Sequence, residues 1–267
     1  MPQGNQEEAN FGGMNLKLFG ILVCIFLLTA ICLAEETEYF DWKGSKLYAA
    51  KNYTDALTYF DKAITQDPGY IDAWIHKGDT EKALKDYNVS IQSYNSALKI
   101  DGKKVAAWSG ITEDYITLKN YANASIAAAK VTELDNKTKA NWLKEGNLLQ
   151  LQGMYNESTA KYDGALALDP KYTDALYKKG LSLMVLGRYA DAGTLFNQTV
   201  TIDTQYKQAY VAKGMAMEAA GEYSEAQKAY DAALQIDPAF AQALIGKMHV
   251  LLALKKPQEA MEIFVQL

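Results

Sequence analysis

One period governs this chain. Trp74, Trp108 and Trp142 are evenly spaced, and the same step reaches Leu176, Tyr210 and Leu244 forward and Phe40 backward. Further columns keep the register: Gly44, Gly78, Thr112, Gly146, Gly180, Gly214, Met248; Tyr53, Tyr87, Tyr121, Tyr155, Tyr189, Tyr223, Pro257; and the small Ala56, Ser90, Ala124, Ser158, Ala192, Ala226, Ala260. An aromatic column runs Phe60, Tyr94, Tyr162, Phe196, Tyr230, Phe264, broken only by Ala128, and Asp67, Asp101, Asp135, Asp169, Asp203 and Asp237 close six units. From Thr37 to Leu267 no insertion or deletion disturbs the step. A period of about 34 residues marks units that bury their apolar faces only against their neighbours.

Within a unit the spacing is helical. Leu176, Gly180 and Leu183 share one face, and after a turn at Gly187 and Arg188 the residues Ala192, Leu195, Phe196 and Thr199 share another. The glycine column is expected to let the two helices of a unit approach, with the Ala/Ser column opposite it on the second helix. Asp followed by Pro68, Pro170 or Pro238 is expected to stop that helix. The order Trp, Gly, Tyr, Ala, aromatic, Pro resembles the tetratricopeptide repeat family. The resemblance implies an all-α, right-handed α-solenoid of helix-turn-helix repeats over 37–267, in units 37–70, 71–104, 105–138, 139–172, 173–206, 207–240 and 241–267. The third unit departs most, with Thr112, Ala128 and Asn136, and looser packing is expected there. Pro257 suits the first turn of a helix.

Ahead of the repeats, Leu18 to Ala34 form an unbroken run without a charge, after Lys17 and before Glu35, Glu36 and Glu38. The charge asymmetry predicts a cytoplasmic leader at 1–17 and everything beyond Ala34 outside the cell. The run falls a little short of the roughly 20 residues that span a bilayer comfortably, so 18–34 reads either as the apolar core of a cleaved signal or as a retained transmembrane anchor. Both cysteines, Cys24 and Cys32, lie inside it, so the repeats contain no thiol for disulfide, catalysis or metal.

Little in the repeats points to chemistry. Among 27 basic residues only Arg188 is arginine, and a net charge of -5 argues against nucleic acid as a partner. His76 and His249 lie in the second and the seventh unit, too far apart to meet where each repeat touches only its neighbours. The Asp column reads as local turn chemistry. No catalytic residue, metal ligand or cofactor site is assigned, and the chain is read as non-enzymatic.

The resemblance implies a concave surface lined by first helices. The face turned away from the tryptophan column runs from Asp41, Ser45, Ile75 and Asp79 through Ser109 and Glu113 to an apolar stretch. There Leu143, Asn147, Tyr177, Leu181, Met184, Val211, Met215 and Ile245 are the candidate partner groove. The acidic start lacks the Lys, Arg and Asn with which family members hold a chaperone's C-terminal carboxylate. The Met-bearing stretch suits an amphipathic helix or an extended peptide. The reading is therefore a non-catalytic scaffold for a protein or peptide, exported or anchored through 18–34. The alternative is a self-assembling component of the cell envelope, associating through a final repeat whose Ile263, Phe264 and Leu267 are expected to be exposed. Sequons at Asn52, Asn88, Asn123, Asn136, Asn156 and Asn197 are glycosylation candidates, the first three and Asn156 expected in the turn inside a unit.

Overall fold

The computed structural model describes residues 16–265; the leader expected at 1–17 falls mostly, and Leu267 wholly, outside them. Fourteen helices and no strands occupy the described residues. α1 spans Leu16–Ala49 and α2 Tyr53–Gln66. Thereafter first helices of 13 residues alternate with second helices of 14: α3 Ile71–Ala83, α4 Tyr87–Ile100, α5 Val105–Thr117, α6 Tyr121–Leu134, α7 Lys139–Leu151, α8 Tyr155–Leu168. α9 Thr173–Val185, α10 Tyr189–Ile202, α11 Lys207–Ala219, α12 Tyr223–Ile236, α13 Ala241–Ala253 and the shorter α14 Pro257–Phe264 complete the series. The chain divides into two compact units, 1–114 and 115–267, the division falling inside α5 of the divergent third repeat. Each unit is a run of helical hairpins.

Each column has a local cause. The tyrosine column, with Pro257 as its seventh member, opens every second helix. Ahead of it the chain turns through left-handed backbone at Lys51, Lys85, Lys119, Gly153, Gly187, Gly221 and Lys255. There Asn52 N–H reaches back to Leu47 O at 2.9 Å, and Arg188 N–H to Leu183 O at 2.9 Å, closing the orphan carbonyls of the first helix. At the other end of a hairpin the Asp carboxylates accept from the backbone two residues on. Gly69 N–H meets Asp67 at 2.8 Å, Lys103 meets Asp101 at 2.9 Å and Gln205 meets Asp203 at 2.9 Å. The stop therefore works with or without proline, because the turn bond is made by the carboxylate itself. Each indole of the tryptophan column then donates to the carbonyl six residues earlier, Trp74 to Pro68, Trp108 to Gly102 and Trp142 to Asn136, at 2.9–3.0 Å.

The glycines face a partner other than the expected one. A Cβ at Gly78, Gly146, Gly180 or Gly214 would lie 2.5–2.7 Å from the ring of Tyr94, Tyr162, Phe196 or Tyr230, so glycine makes room for the aromatic column rather than for the small one. The small column turns instead to the next hairpin, where Ser90 bonds Asp114 and Ser158 bonds Ser182 at 2.8 Å. Between hairpins, Lys77–Asp61, Lys179–Asp163 and Lys247–Asp231 repeat one ion pair at 2.5–2.7 Å.

The apolar run and the first helix of the first repeat form one unbroken helix, α1. Ile263 is buried against Leu244, Leu251 and Ala260, whereas Phe264 is exposed as expected.

A candidate binding trough

Positions i, i+4 and i+7 of a first helix share one helical face, which is apolar throughout in α9 and mostly so in α11 and α13. α9 supplies Tyr177, Leu181 and Met184, α11 supplies Val211, Met215 and Glu218, and α13 supplies Ile245 and His249. Together they line a trough of about 1060 Å³ whose surface is mainly apolar. Val211 and the ring of Tyr230 are buried at its floor, while Met215 and Ile245 stand exposed on its walls. Tyr155 and Tyr189 of the second helices, with Gln150, Gln208 and Gln242, add polar groups around it.

Hydroxyls of the aromatic column fix polar groups of the lining, Glu218 and Gln150. Tyr230 donates to Glu218 Oε2 at 2.9 Å, and Tyr162 is shared between Asn147 Oδ1 at 2.9 Å and Gln150 Oε1 at 3.2 Å. Burial, and for Tyr230 also the Glu218 carboxylate, push both phenols well above their ordinary value, so each remains a donor. Tyr177, in ring contact with Phe196 and Tyr206, is likewise raised by burial. Tyr206 is pushed up to about 12 by burial first and neighbouring charges second.

Six of the eight groove residues expected from sequence, Tyr177, Leu181, Met184, Val211, Met215 and Ile245, line this trough. Leu143 and Asn147 do not: Leu143 is half-buried, and Asn147 accepts the Tyr162 hydroxyl. The sequence reading missed Tyr155 and Tyr189. Their signal was a tyrosine column more constant than the opening residue of a helix requires.

In the first unit the expected acidic face is internally neutralised. Asp41 is buried and meets His76 Nδ1 at 2.8 Å, Asp79 accepts the Tyr94 hydroxyl at 2.7 Å, and Lys82 reaches Glu113 at 3.0 Å. The Asp41 hydrogen bond, working against partial burial, raises the His76 pKa. Asp114 is fully buried, bonded by Ser90 through one oxygen while the other has no partner, and burial raises its pKa. Among the described residues no group of three His, Cys, Asp or Glu side chains is placed to hold a metal ion.

All six sequon asparagines are exposed. Of the four expected in the turn inside a unit, Asn88, Asn123 and Asn156 stand instead in the first turns of α4, α6 and α8, and only Asn52, a helix cap, precedes its helix; Asn136 lies between α6 and α7, and Asn197 within α10. The hydroxyls of Ser90, Ser158 and Thr199 are buried and hydrogen-bonded, which gives those residues a packing reason to be present.

Three family models, each described as tetratricopeptide repeat, match residues 71–104, 143–207 and 217–267. A search of curated proteins returns no match. Among solved structures the chain is similar to YrrB, "a TPR protein with an unusual peptide-binding site", at 20% identity and TM-score 0.63, over 70% of this chain and 97% of that one. It is similar to the MamA protein at 24% identity and TM-score 0.60, over 64% and 94%. A tetratricopeptide repeat protein from Parabacteroides merdae aligns at 14% identity and TM-score 0.60, over 87% and 92%. At these identities the likeness is one of fold.

Proposed function

Because the chain belongs to the tetratricopeptide repeat family, we propose that it is a non-catalytic scaffold that binds a peptide or a peptide-like segment of a protein in the trough between α9, α11 and α13. The observation that carries this reading is the trough itself, where three successive first helices present flexible apolar side chains, two of them methionines, beside fixed amides and hydroxyls. Such a lining suits a ligand with spaced apolar anchors and polar groups between them. That one structural relative is described as having a peptide-binding site supports the class of ligand.

The scaffold is held at a membrane, facing outward, by the apolar half of α1. The stretch Phe19–Ala49 is long and apolar enough to cross a bilayer, and none of its most apolar window is buried. Continuity of α1 into the first repeat favours a retained anchor over a cleaved signal. N-terminal sequencing decides this, a start at Glu35 contradicting the anchor. Glycans on the six exposed asparagines belong to the same reading. Self-association through exposed Met261 and Phe264 is the second reading, and it calls for light scattering that rises with protein concentration.

The test of the trough is selection of a displayed random-peptide library on the full chain in detergent. Enriched peptides are expected to carry spaced apolar residues and to bind the Leu181→Glu, Met215→Glu variant at least about tenfold more weakly, a loss of about 1.4 kcal/mol. Unchanged affinity in a variant of unchanged helicity contradicts the assignment.

A further inference from the structure

The first repeat carries a surface that the others do not. In the later first helices, the position equivalent to Tyr39 is Ala73, Ala107, Asn141, Ala175, Ala209 or Ala243, and the five alanines are fully buried. The position equivalent to Trp42 is His76, Gly110, Lys144, Lys178, Ala212 or Gly246, small or polar in every later repeat and never a large apolar residue. These positions pack on the preceding hairpin: Ala243 sits with Val211 and Tyr230, Ala212 with Leu183 and Phe196, and a Cβ on Gly246 would strike the Tyr230 ring. What precedes the first repeat in α1 is the apolar segment, not a hairpin. On this face stand two large aromatics, Tyr39 at 52% and Trp42 at 53% exposure, 6.1 Å apart, with Lys46 over the Trp42 ring at 5.8 Å.

We infer that Tyr39 and Trp42 seat the first repeat in the headgroup layer of the bilayer that α1 crosses, so that the repeats are mounted rigidly on the membrane surface. The inference rests on the anchor reading above. Its occupant, a lipid headgroup surface, follows from the continuity of one helix. At about 1.5 Å per residue, Tyr39 lies about 7.5 Å and Trp42 about 12 Å along the axis beyond Ala34. The interfacial layer extends about 5–7 Å outside the hydrocarbon on each side. The apolar run from Leu18 to Ala34 covers about 26 Å of a core about 30 Å thick, so the hydrocarbon edge falls about 2 Å or more beyond Ala34 and brings both rings closer to the layer. Long side chains on a helix lean toward its N-terminus, which brings the Trp42 ring back toward the layer. Tyr and Trp with a nearby Lys are the side chains that favour this zone, having apolar bodies and polar tips.

The experiment uses the full chain in phosphatidylcholine–phosphatidylglycerol vesicles, with spin labels on the headgroup or at the middle of the acyl chain. Wild-type tryptophan emission is expected to be quenched more by the headgroup label than by the mid-chain label, and Trp42→Phe to lose that quenching. A chain that resists alkaline carbonate extraction yet is quenched equally with and without Trp42 overturns the inference while the anchor stands. Carbonate release overturns both. Emission that depends on the protein-to-lipid ratio but not on the label identifies a second copy as the occupant and also overturns it.

Discussion

Four lysines stand at turn positions where the other repeats use glycine. Lys51, Lys85, Lys119 and Lys255 have φ between 57° and 70°, a region that penalises any Cβ. Lys119→Gly is therefore expected to stabilise its unit by about 0.5–1 kcal/mol, the relief of native strain outweighing the added freedom of the unfolded chain. Chemical denaturation checks it. These turns were only half legible in the sequence, because glycine at 153, 187 and 221 announces left-handed backbone and lysine does not. Asp114 was not legible for a related reason: nothing in its identity distinguishes a buried acid from a solvated one. Its raised pKa means that the folded state holds a proton the unfolded chain releases near the ordinary value of 3.8. Stability is thus unpenalised below that value and falls as pH rises from it to the raised one. Asp114→Asn, which keeps the shape without the charge, is expected to flatten this part of the pH profile of unfolding. An unchanged slope contradicts the assignment.

At the scale of the helical element, the columns were legible because each one answers to a recurring local need. Helix length, turn position and the tryptophan staple all follow from one constant step. Which column faces which was not legible, since periodicity gives the face of a helix but not its partner across the hairpin. The glycine–aromatic match has a consequence in free energy. Gly180→Thr alone forces its Cβ into the Phe196 ring and is expected to cost about 1–3 kcal/mol. Phe196→Ala alone is expected to cost about 3–5 kcal/mol through the cavity it leaves. The pair should lose less than the sum, with a coupling of about 0.5–3 kcal/mol. The third repeat already carries threonine in the glycine column and alanine in the aromatic column, at Thr112 and Ala128. Strict additivity in the double-mutant cycle contradicts this account of the column.

At the scale of the molecule, chemistry is sparse and surface is plentiful. On the first-helix face of the first unit Asp41 is paired with His76 and Lys82 with Glu113, whereas the second unit opens a mainly apolar trough between its first helices. The apolar character of that trough and Gln150 beside it were readable from first-helix spacing; Tyr155, Tyr189, Gln208 and Gln242 were not, because they come from second helices or from faces the periodicity does not single out. The central claim is that this trough is where a ligand sits, and the methionines report on it directly. Met184 and Met215 line it; Met154 and Met261 are placed elsewhere. With methyl-labelled methionine and a selected peptide, NMR titration is expected to shift Met184 and Met215 and to leave Met154 and Met261 in place. Saturable binding that moves Met154 or Met261 while Met184 and Met215 stay fixed contradicts the claim.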